Sequence, residues 1–349
     1  MSVLTKHYDN GFTGIENLGN TCFLNACMQV LNHTYELNEF LSSEKYRTKP
    51  EIDDTTILTE WNDLRNVMWK GNGVVSPKKF VFNIHRIAKI KNKEIFTGYA
   101  QNDMPEFLLF IMECMHNSIS RSVKMTINGV SENPTDEIAV KCYQMLKEVY
   151  AKEYSEIMDM FYGIYISVIT SIDGNVNYLI KPENYFILDL PILDGNVIAD
   201  NIYECFDNFT KSEFLEGDNA WFNEKTGSKE NILKKMTFWN FPKVLVISLK
   251  RFTPDGKFKI NKLINFPLEN LDLSKYVEGY NSTSYVYDLY GVCNHYGGVL
   301  GGHYTAFVKH ANNEWIHFND SSVEKVSDIS QIISPMAYCL FYRKKNSLV

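Results

Sequence analysis

The period of the hydrophobic residues changes once along this chain, and that change limits the folds open to it. Apolar residues recur at helical spacing over about 22–33, 56–69, 77–90, 103–118 and 136–160. Beyond that point the pattern becomes short β-branched and aromatic runs bounded by Gly, Asn or Pro: Tyr178 to Ile180, Tyr185 to Leu190, Val244 to Phe252, Tyr285 to Cys293, His303 to His310, Glu314 to Phe318 and Ala337 to Arg343. Helices first and strands later predict an α+β chain, a helical lobe followed by an antiparallel sheet lobe with a cleft between them. At 349 residues and 45% hydrophobic, the chain can bury a large core as one domain or two closely joined lobes. It has no internal repeat and no low-complexity segment, and 119–135 reads as a surface loop.

Residues 17 to 29, Asn-Leu-Gly-Asn-Thr-Cys-Phe-Leu-Asn-Ala-Cys-Met-Gln, put a cysteine where a polar turn gives way to a helix. Asn20 or Thr21 is the expected N-cap. Leu24, Cys27, Met28 and Leu31 recur at i, i+3, i+4 and i+7, so one helix face is expected to be buried, with Cys22 off that stripe in the first turn. Unpaired amides and the positive end of the helix dipole favour a thiolate there. Cys27, Cys114, Cys142, Cys205, Cys293 and Cys339 lie in apolar or amphipathic runs and read as small buried hydrophobes.

Far downstream, Gly301-Gly302-His303-Tyr304 places a histidine at the opening of a strand, and Trp315-Ile-His-Phe-Asn319-Asp320 offers amide and carboxylate partners. Alone, His303 reads equally as a satisfied strand-edge residue, and Asn319-Asp320-Ser321-Ser322 as a plain turn. Cysteine, then histidine, then asparagine is, however, the order of papain-like hydrolases, in which a thiolate attacks, an imidazole moves protons and an amide orients the ring.

Seven cysteines without close spacing, and a start, Met1-Ser-Val-Leu-Thr-Lys-His-Tyr, that lacks the apolar core of a signal peptide, predict a reducing intracellular compartment, cytoplasmic or nuclear. No apolar run reaches membrane-spanning length, so no membrane partner is expected. A net charge of -7 argues mildly against nucleic acid and leaves room for a basic protein partner.

Several segments together resemble the ubiquitin-specific proteases, a family of ubiquitin carboxyl-terminal hydrolases. Gly14-Ile-Glu-Asn-Leu-Gly-Asn-Thr-Cys-Phe-Leu-Asn-Ala is similar to the family's Cys box, and Tyr285 to Val326 to its His box. Gly98-Tyr-Ala-Gln-Asn-Asp-Met-Pro-Glu-Phe-Leu resembles its Gln-Gln-Asp segment. Phe161-Tyr-Gly-Ile-Tyr-Ile-Ser, Pro242-Lys-Val-Leu-Val-Ile-Ser-Leu-Lys-Arg-Phe and Ala337-Tyr-Cys-Leu-Phe-Tyr-Arg match further motifs in the family's order. The resemblance implies a single catalytic domain over 11–345, with a helical thumb over about 11–160, fingers and palm over about 161–345, and short tails at 1–10 and 346–349.

It also implies a thiol-dependent deubiquitinating enzyme that takes ubiquitin and ubiquitinated proteins as partners, with an activating protein partner possible. Cys22 would be the nucleophile, His303 the general base and acid, Asn319 its orienter and Asn17 the oxyanion donor. Asp320 would assist or replace Asn319. Asp103, Glu106, Gln101, Gly301, Gly302 and Tyr304 would meet the ubiquitin tail, although Asp103-Met-Pro-Glu106 is also a helix-capping pattern and both roles can hold.

The chain departs from the family pattern at its fingertips. Where many members carry two zinc-binding Cys-x-x-Cys pairs, it reads Ser171-Ile-Asp-Gly174 and Asn223-Glu-Lys-Thr226, so no metal and no cofactor are expected. Pro105 also replaces a polar residue of the Gln-Gln-Asp segment. Two other functions stay open: a hydrolase for a ubiquitin-like modifier, and a catalytically silent ubiquitin-binding module.

Overall fold

The computed structural model describes residues 6–43, 46–98, 100–253, 255–299 and 301–345. Its first half carries the helices α1 (Cys22–Asn32), α2 (Tyr35–Ser42), α3 (Asp54–Met68), α4 (Lys78–Ile90), α5 (Met104–Ile119), α6 (Pro134–Glu153) and α7 (Glu156–Phe161). A further helix, α8 (Ile202–Thr210), lies among the strands of the second half.

Capping explains where several helices begin. Asp103 accepts a hydrogen bond from the Glu106 N–H (3.2 Å), with Pro105 in the first turn of α5. Asn133 does the same for Asp136 (3.0 Å) ahead of Pro134 in α6. Asn201 and Glu204 form a reciprocal box at α8, Asn201 accepting from the Glu204 N–H (3.1 Å) and Glu204 from the Asp200 N–H (2.8 Å).

The helix expected over 136–160 is two helices. Tyr154 and Ser155 are extended, because Tyr154 exchanges two main-chain hydrogen bonds of 2.8 Å with Arg121. That pairing draws the connection between α5 and α6 back onto the helical lobe and breaks the helix at Tyr154.

The second half builds two main sheets. The palm runs in the order Ser322–Lys325, Trp315–Asn319, Gly301–Lys309, Val286–Gly298, Ala337–Lys344, Val244–Lys250 and Ile187–Pro191. It is antiparallel except at its last edge, where Val244–Lys250 and Ile187–Pro191 run parallel, a departure from the antiparallel expectation. The fingers run in the order Asn177–Tyr185, Gly163–Thr170, Ile232–Asn240 and Glu213–Leu215, with a small hairpin of Trp221–Asn223 and Ser228–Glu230 beyond. Thumb, palm and fingers are thus all present in an α+β, papain-like arrangement.

Helix α1 is wedged between the helical lobe and the palm, so all eleven of its residues are buried rather than one face. Its approach to the sheet depends on Gly291, where a Cβ would come within 2.5 Å of Val30 Cγ1. One continuous core joins α1, α3, α4 and α5 to Phe186, Val244, Val246, Tyr304 and Phe318 of the strand region. A second core lies on the other palm face, around Phe206 of α8 and Tyr287. Among the described residues no helix is long and apolar enough to cross a membrane.

Candidate active site

The turn before α1 is organised by one side chain. Asn17 Oδ1 accepts from the main-chain N–H groups of Gly19 (2.9 Å) and Thr21 (3.2 Å) and from the Thr21 hydroxyl (3.3 Å). Gly19 and Asn20 both have positive φ, which glycine and asparagine tolerate and which turns the chain sharply into the helix. The N-cap is Thr21, but its hydroxyl makes no bond to the helix. It accepts instead from the Leu18 N–H (2.9 Å), so the turn is stabilised rather than the first helical amides.

Cys22 is the first residue of α1 and, contrary to the expectation of a position off the buried stripe, is 3% exposed. Burial pushes its thiol above the ordinary value. The main-chain N–H of Tyr304 opposes this by hydrogen bonding, the Asp320 charge adds to it, and the amides of Phe23 and Cys22 oppose it. The helix start therefore does not by itself make a thiolate in the resting protein, and a base has to take the proton.

His303 is the third residue of the Gly301–Lys309 strand rather than its first, paired with Tyr296 in the hairpin with Val286–Gly298. The two preceding glycines are there for close approach. A Cβ on Gly301, where φ is +143°, would lie 2.4 Å from Gln101 Oε1, and one on Gly302 would lie 1.9 Å from the Tyr296 carbonyl and 2.6 Å from His295 Nε2. His303 Nε2 meets Asn319 Oδ1 at 2.7 Å. Because a carbonyl oxygen can only accept, Nε2 carries the proton and Nδ1 is the basic nitrogen.

Asn319 and Asp320 point to different places. Asp320 has a left-handed backbone, φ 49°, at the turn between the Trp315–Asn319 and Ser322–Lys325 strands. Its carboxylate accepts from Asn17 Nδ2 (2.9 Å) and Asn25 Nδ2 (2.7 Å), and its carbonyl accepts from the Ile15 N–H (2.9 Å). The carboxylate thus ties the palm to the turn before Cys22 and makes no hydrogen bond to His303. Asn25 did not emerge from the sequence as a site residue. The signal was an asparagine one turn past Cys22 in an otherwise apolar helix, where a buried amide needs a partner.

Beside this centre, a cleft of about 890 Å³ separates α5 from the palm and fingers. Asp103, Glu106 and Asp189 line it with carboxylates, Lys250 and Arg251 of the palm line it too, and Leu109 and Phe209 give it an apolar part. Asp103 serves both readings of its motif, capping α5 while accepting from the Tyr338 hydroxyl (2.6 Å). Burial raises its pKa against the opposing effect of that hydroxyl. Pro105 is buried in the first turn and lines the same cleft. Gln101, on the loop before α5, faces the Gly301-Gly302 turn across the active centre.

At the fingertips, Ser171 donates to Asp173 (2.5 Å), and Glu230 accepts from Asn223 (2.8 Å) and Thr226 (2.7 Å). Ser171, Gly174, Asn223 and Thr226, the positions where sequence resemblance suggested paired cysteines, are turn and hairpin residues. Among the described residues no three His, Cys, Asp or Glu side chains are grouped to hold a metal ion. All seven cysteines are unpaired.

The family profile described as ubiquitin carboxyl-terminal hydrolase matches residues 13–342. The chain is 35% identical over 345 residues to bovine ubiquitin carboxyl-terminal hydrolase 2, covering 95% of this chain and 55% of that protein. It is 33% identical over 358 residues to human ubiquitin carboxyl-terminal hydrolase 21, covering 96% and 62%. The chain therefore spans a little over half the length of these relatives. Among solved structures, the SAGA DUB module containing Ubp8, bound to monoubiquitin, superposes with a TM-score of 0.72 at 25% identity, over 97% of this chain and 70% of that one.

Proposed function

Because the chain belongs to the ubiquitin carboxyl-terminal hydrolase family, we propose that it is a deubiquitinating cysteine protease, cleaving the peptide or isopeptide bond after the C-terminal glycine of ubiquitin. The observation that carries this reading is the convergence of Cys22 on the Tyr304 amide, one residue from a His303 held by Asn319 at 2.7 Å. The catalytic domain covers 11–345, and the seven unpaired cysteines suit an intracellular setting, cytoplasmic or nuclear.

In this mechanism His303 Nδ1 takes the proton from Cys22, and the sulfur attacks the carbonyl carbon of the terminal glycine. The carbonyl π electrons move to oxygen. Asn17 holds that oxyanion. One N–H of its amide is bound to Asp320, and the amide plane so fixed aims the second at the developing charge. The imidazolium protonates the leaving amine, the carbon–nitrogen bond breaks and a thioester remains. His303 then takes a proton from water as the water oxygen attacks the thioester carbon; the carbon–sulfur bond breaks, the Cys22 thiolate leaves and regains a proton from the imidazolium, and ubiquitin is released with a free carboxylate. Asn319 keeps the ring in one tautomer and orientation throughout. The carboxylates that line the cleft, Asp103, Glu106 and Asp189, suit the arginine-containing ubiquitin tail.

The test is a ubiquitin-derived electrophilic probe, run beside matching probes for ubiquitin-like modifiers. A ubiquitin adduct on Cys22, absent in Cys22→Ala while that variant still binds ubiquitin, is the expected result. Adduct on another cysteine, or with another modifier alone, overturns it.

A further inference from the structure

The Gly301–Lys309 strand has an open edge where it meets the helical lobe. Its neighbour Trp315–Asn319 pairs with it only from Ala306 to Lys309, so residues 301–305 face the lobe without a strand beside them. Along a strand, alternate amides point the same way. Here two alternate amides of that edge turn to the helical lobe, one on either side of His303: the Tyr304 N–H lies toward Cys22 and opposes the upward pull of burial on its thiol, and the Gly302 N–H donates to Gln101 Oε1 at 2.6 Å. Gln101 Nε2 also donates to the Gly302 carbonyl at 2.7 Å.

The side-chain amide of Gln101 therefore pairs with both polar groups of Gly302, as a neighbouring strand's peptide would. Gly301 makes this possible, since any Cβ there would sit 2.4 Å from Gln101 Oε1. The other side of Gly302 is walled by the Tyr296 carbonyl and the His295 ring, which stacks on Tyr304 with centroids 4.6 Å apart.

We propose that Gln101 is a positioning residue for catalysis: by clamping Gly302 across the cleft it fixes the backbone that sets His303 opposite Cys22. This rests on the hydrolase reading above and deepens it, moving Gln101 from the set of tail contacts to the support of the catalytic histidine. Asn319 fixes the ring of His303 and Gln101 fixes its main chain, so the two act on different degrees of freedom. One N–H and one lone pair of the Gln101 amide are committed to Gly302, so the clamp takes half of its hydrogen-bonding capacity.

Two variants test the clamp: Gln101→Ala, and Gln101→Met, which keeps the length of the side chain and removes both hydrogen bonds. Gln101 is solvent-exposed, so the melting temperature should stay at the wild-type value. With a fluorogenic ubiquitin substrate, kcat should fall roughly tenfold to a hundredfold while KM changes less than about twofold. A second readout needs no ubiquitin. If His303 draws the proton from Cys22, alkylation of Cys22 by iodoacetamide should be faster in the wild-type protein than in either variant, and this advantage should be lost by about the same factor in both. Loss of the alkylation advantage in a protein that proves inactive on ubiquitin would uphold the clamp and sink the substrate assignment. A raised KM with kcat intact would return Gln101 to the tail-binding set, and wild-type kinetics in Gln101→Met would remove it from the mechanism; either result overturns the proposal.

Discussion

Asp320 and Asn17, 303 positions apart in the chain, are joined by a 2.9 Å hydrogen bond from the Asn17 amide to the Asp320 carboxylate. In the mechanism proposed above, Asp320 would thus hold the oxyanion donor, while Asn319, the residue before it, would hold the histidine. If Asn319 orients the imidazole, Asn319→Ala should lower kcat with little change in KM, and Asn319→Asp, which still accepts from Nε2–H, should recover most of it. Asp320→Asn tolerates the left-handed backbone but turns an N–H toward one of two amide donors, so it should lower kcat. Steady-state kinetics of the three variants decide the matter, and a near-wild-type Asn319→Ala beside a much slower Asp320→Asn would exchange the two roles.

Asn17→Ala removes the acceptor that organises the turn from Gly19 to Thr21 and, in the proposed mechanism, the oxyanion donor as well. A preorganised donor of this kind contributes about 3 to 4 kcal/mol to lowering the barrier, so kcat should fall by roughly 10² to 10³. Asn17→Asp separates the two contributions, because it keeps the acceptor and loses the donor. Its carboxylate also confronts Asp320, so it should be at least as slow as Asn17→Ala in kcat while its turn remains formed. A loss below about tenfold in both variants would leave Asn17 as a turn residue only.

The settings of Cys22 and His303 were legible in part because each lies in a local signal, a turn-to-helix junction and a glycine pair within a β-run, but the burial of Cys22 and the start of the strand at Gly301 were not. The direction of Asp320 was not legible, since it depends on a left-handed φ and on partners 295 and 303 residues away. The break between α6 and α7 was hidden for the same reason, because Arg121 imposes it from outside the helical pattern. Helix α8 was missed although Asn201-Ile-Tyr-Glu204 is a capping-box signature; nine residues among strands gave too little periodicity to outweigh the context. In Ile232–Asn240, Lys234 and Lys235 interrupt the apolar run, so the strand does not show in the residue pattern, and its place is fixed by pairing with Gly163–Thr170. The thiol's raised pKa was also out of reach, because burial of α1 on every side is a tertiary outcome.

Acid should destabilise the fold through its buried histidines. Burial lowers His33 to about 3 and His7 to about 4, from an ordinary 6.5. Both pack around Trp69, with ring centroids at 5.3 Å and 4.4 Å. Below 6.5 the unfolded chain binds protons that the folded chain refuses, so stability is fully present above that value and falls as pH drops toward 3 to 4. Urea midpoints should therefore decline between about pH 7 and about pH 5. In His33→Gln, whose amide can still donate to the Gln29 carbonyl, the decline should be shallower. An unchanged slope would mean that His33 is not a source of the acid sensitivity.

At the fingertips, hydrogen bonds and one aromatic stack stand where the family resemblance would lead one to expect paired cysteines. Tyr178 of the fingers sheet stacks on Trp221 of the small hairpin at 5.6 Å and 25°, and Glu230 gathers Asn223 and Thr226 within that hairpin. Structural zinc needs about four thiolate or imidazole ligands and contributes directly to folding. Ser171, Gly174, Asn223 and Thr226 supply none. Purified protein should therefore contain no stoichiometric zinc, and chelators should change neither its melting temperature nor its kcat. Trp221→Ala should do what chelation does not, loosening the small hairpin so that KM for ubiquitin rises while kcat, set at the distant Cys22, stays within about twofold. About one zinc per chain by elemental analysis, lost together with activity on chelation, would show that the fingertip is built on ligands other than these four positions.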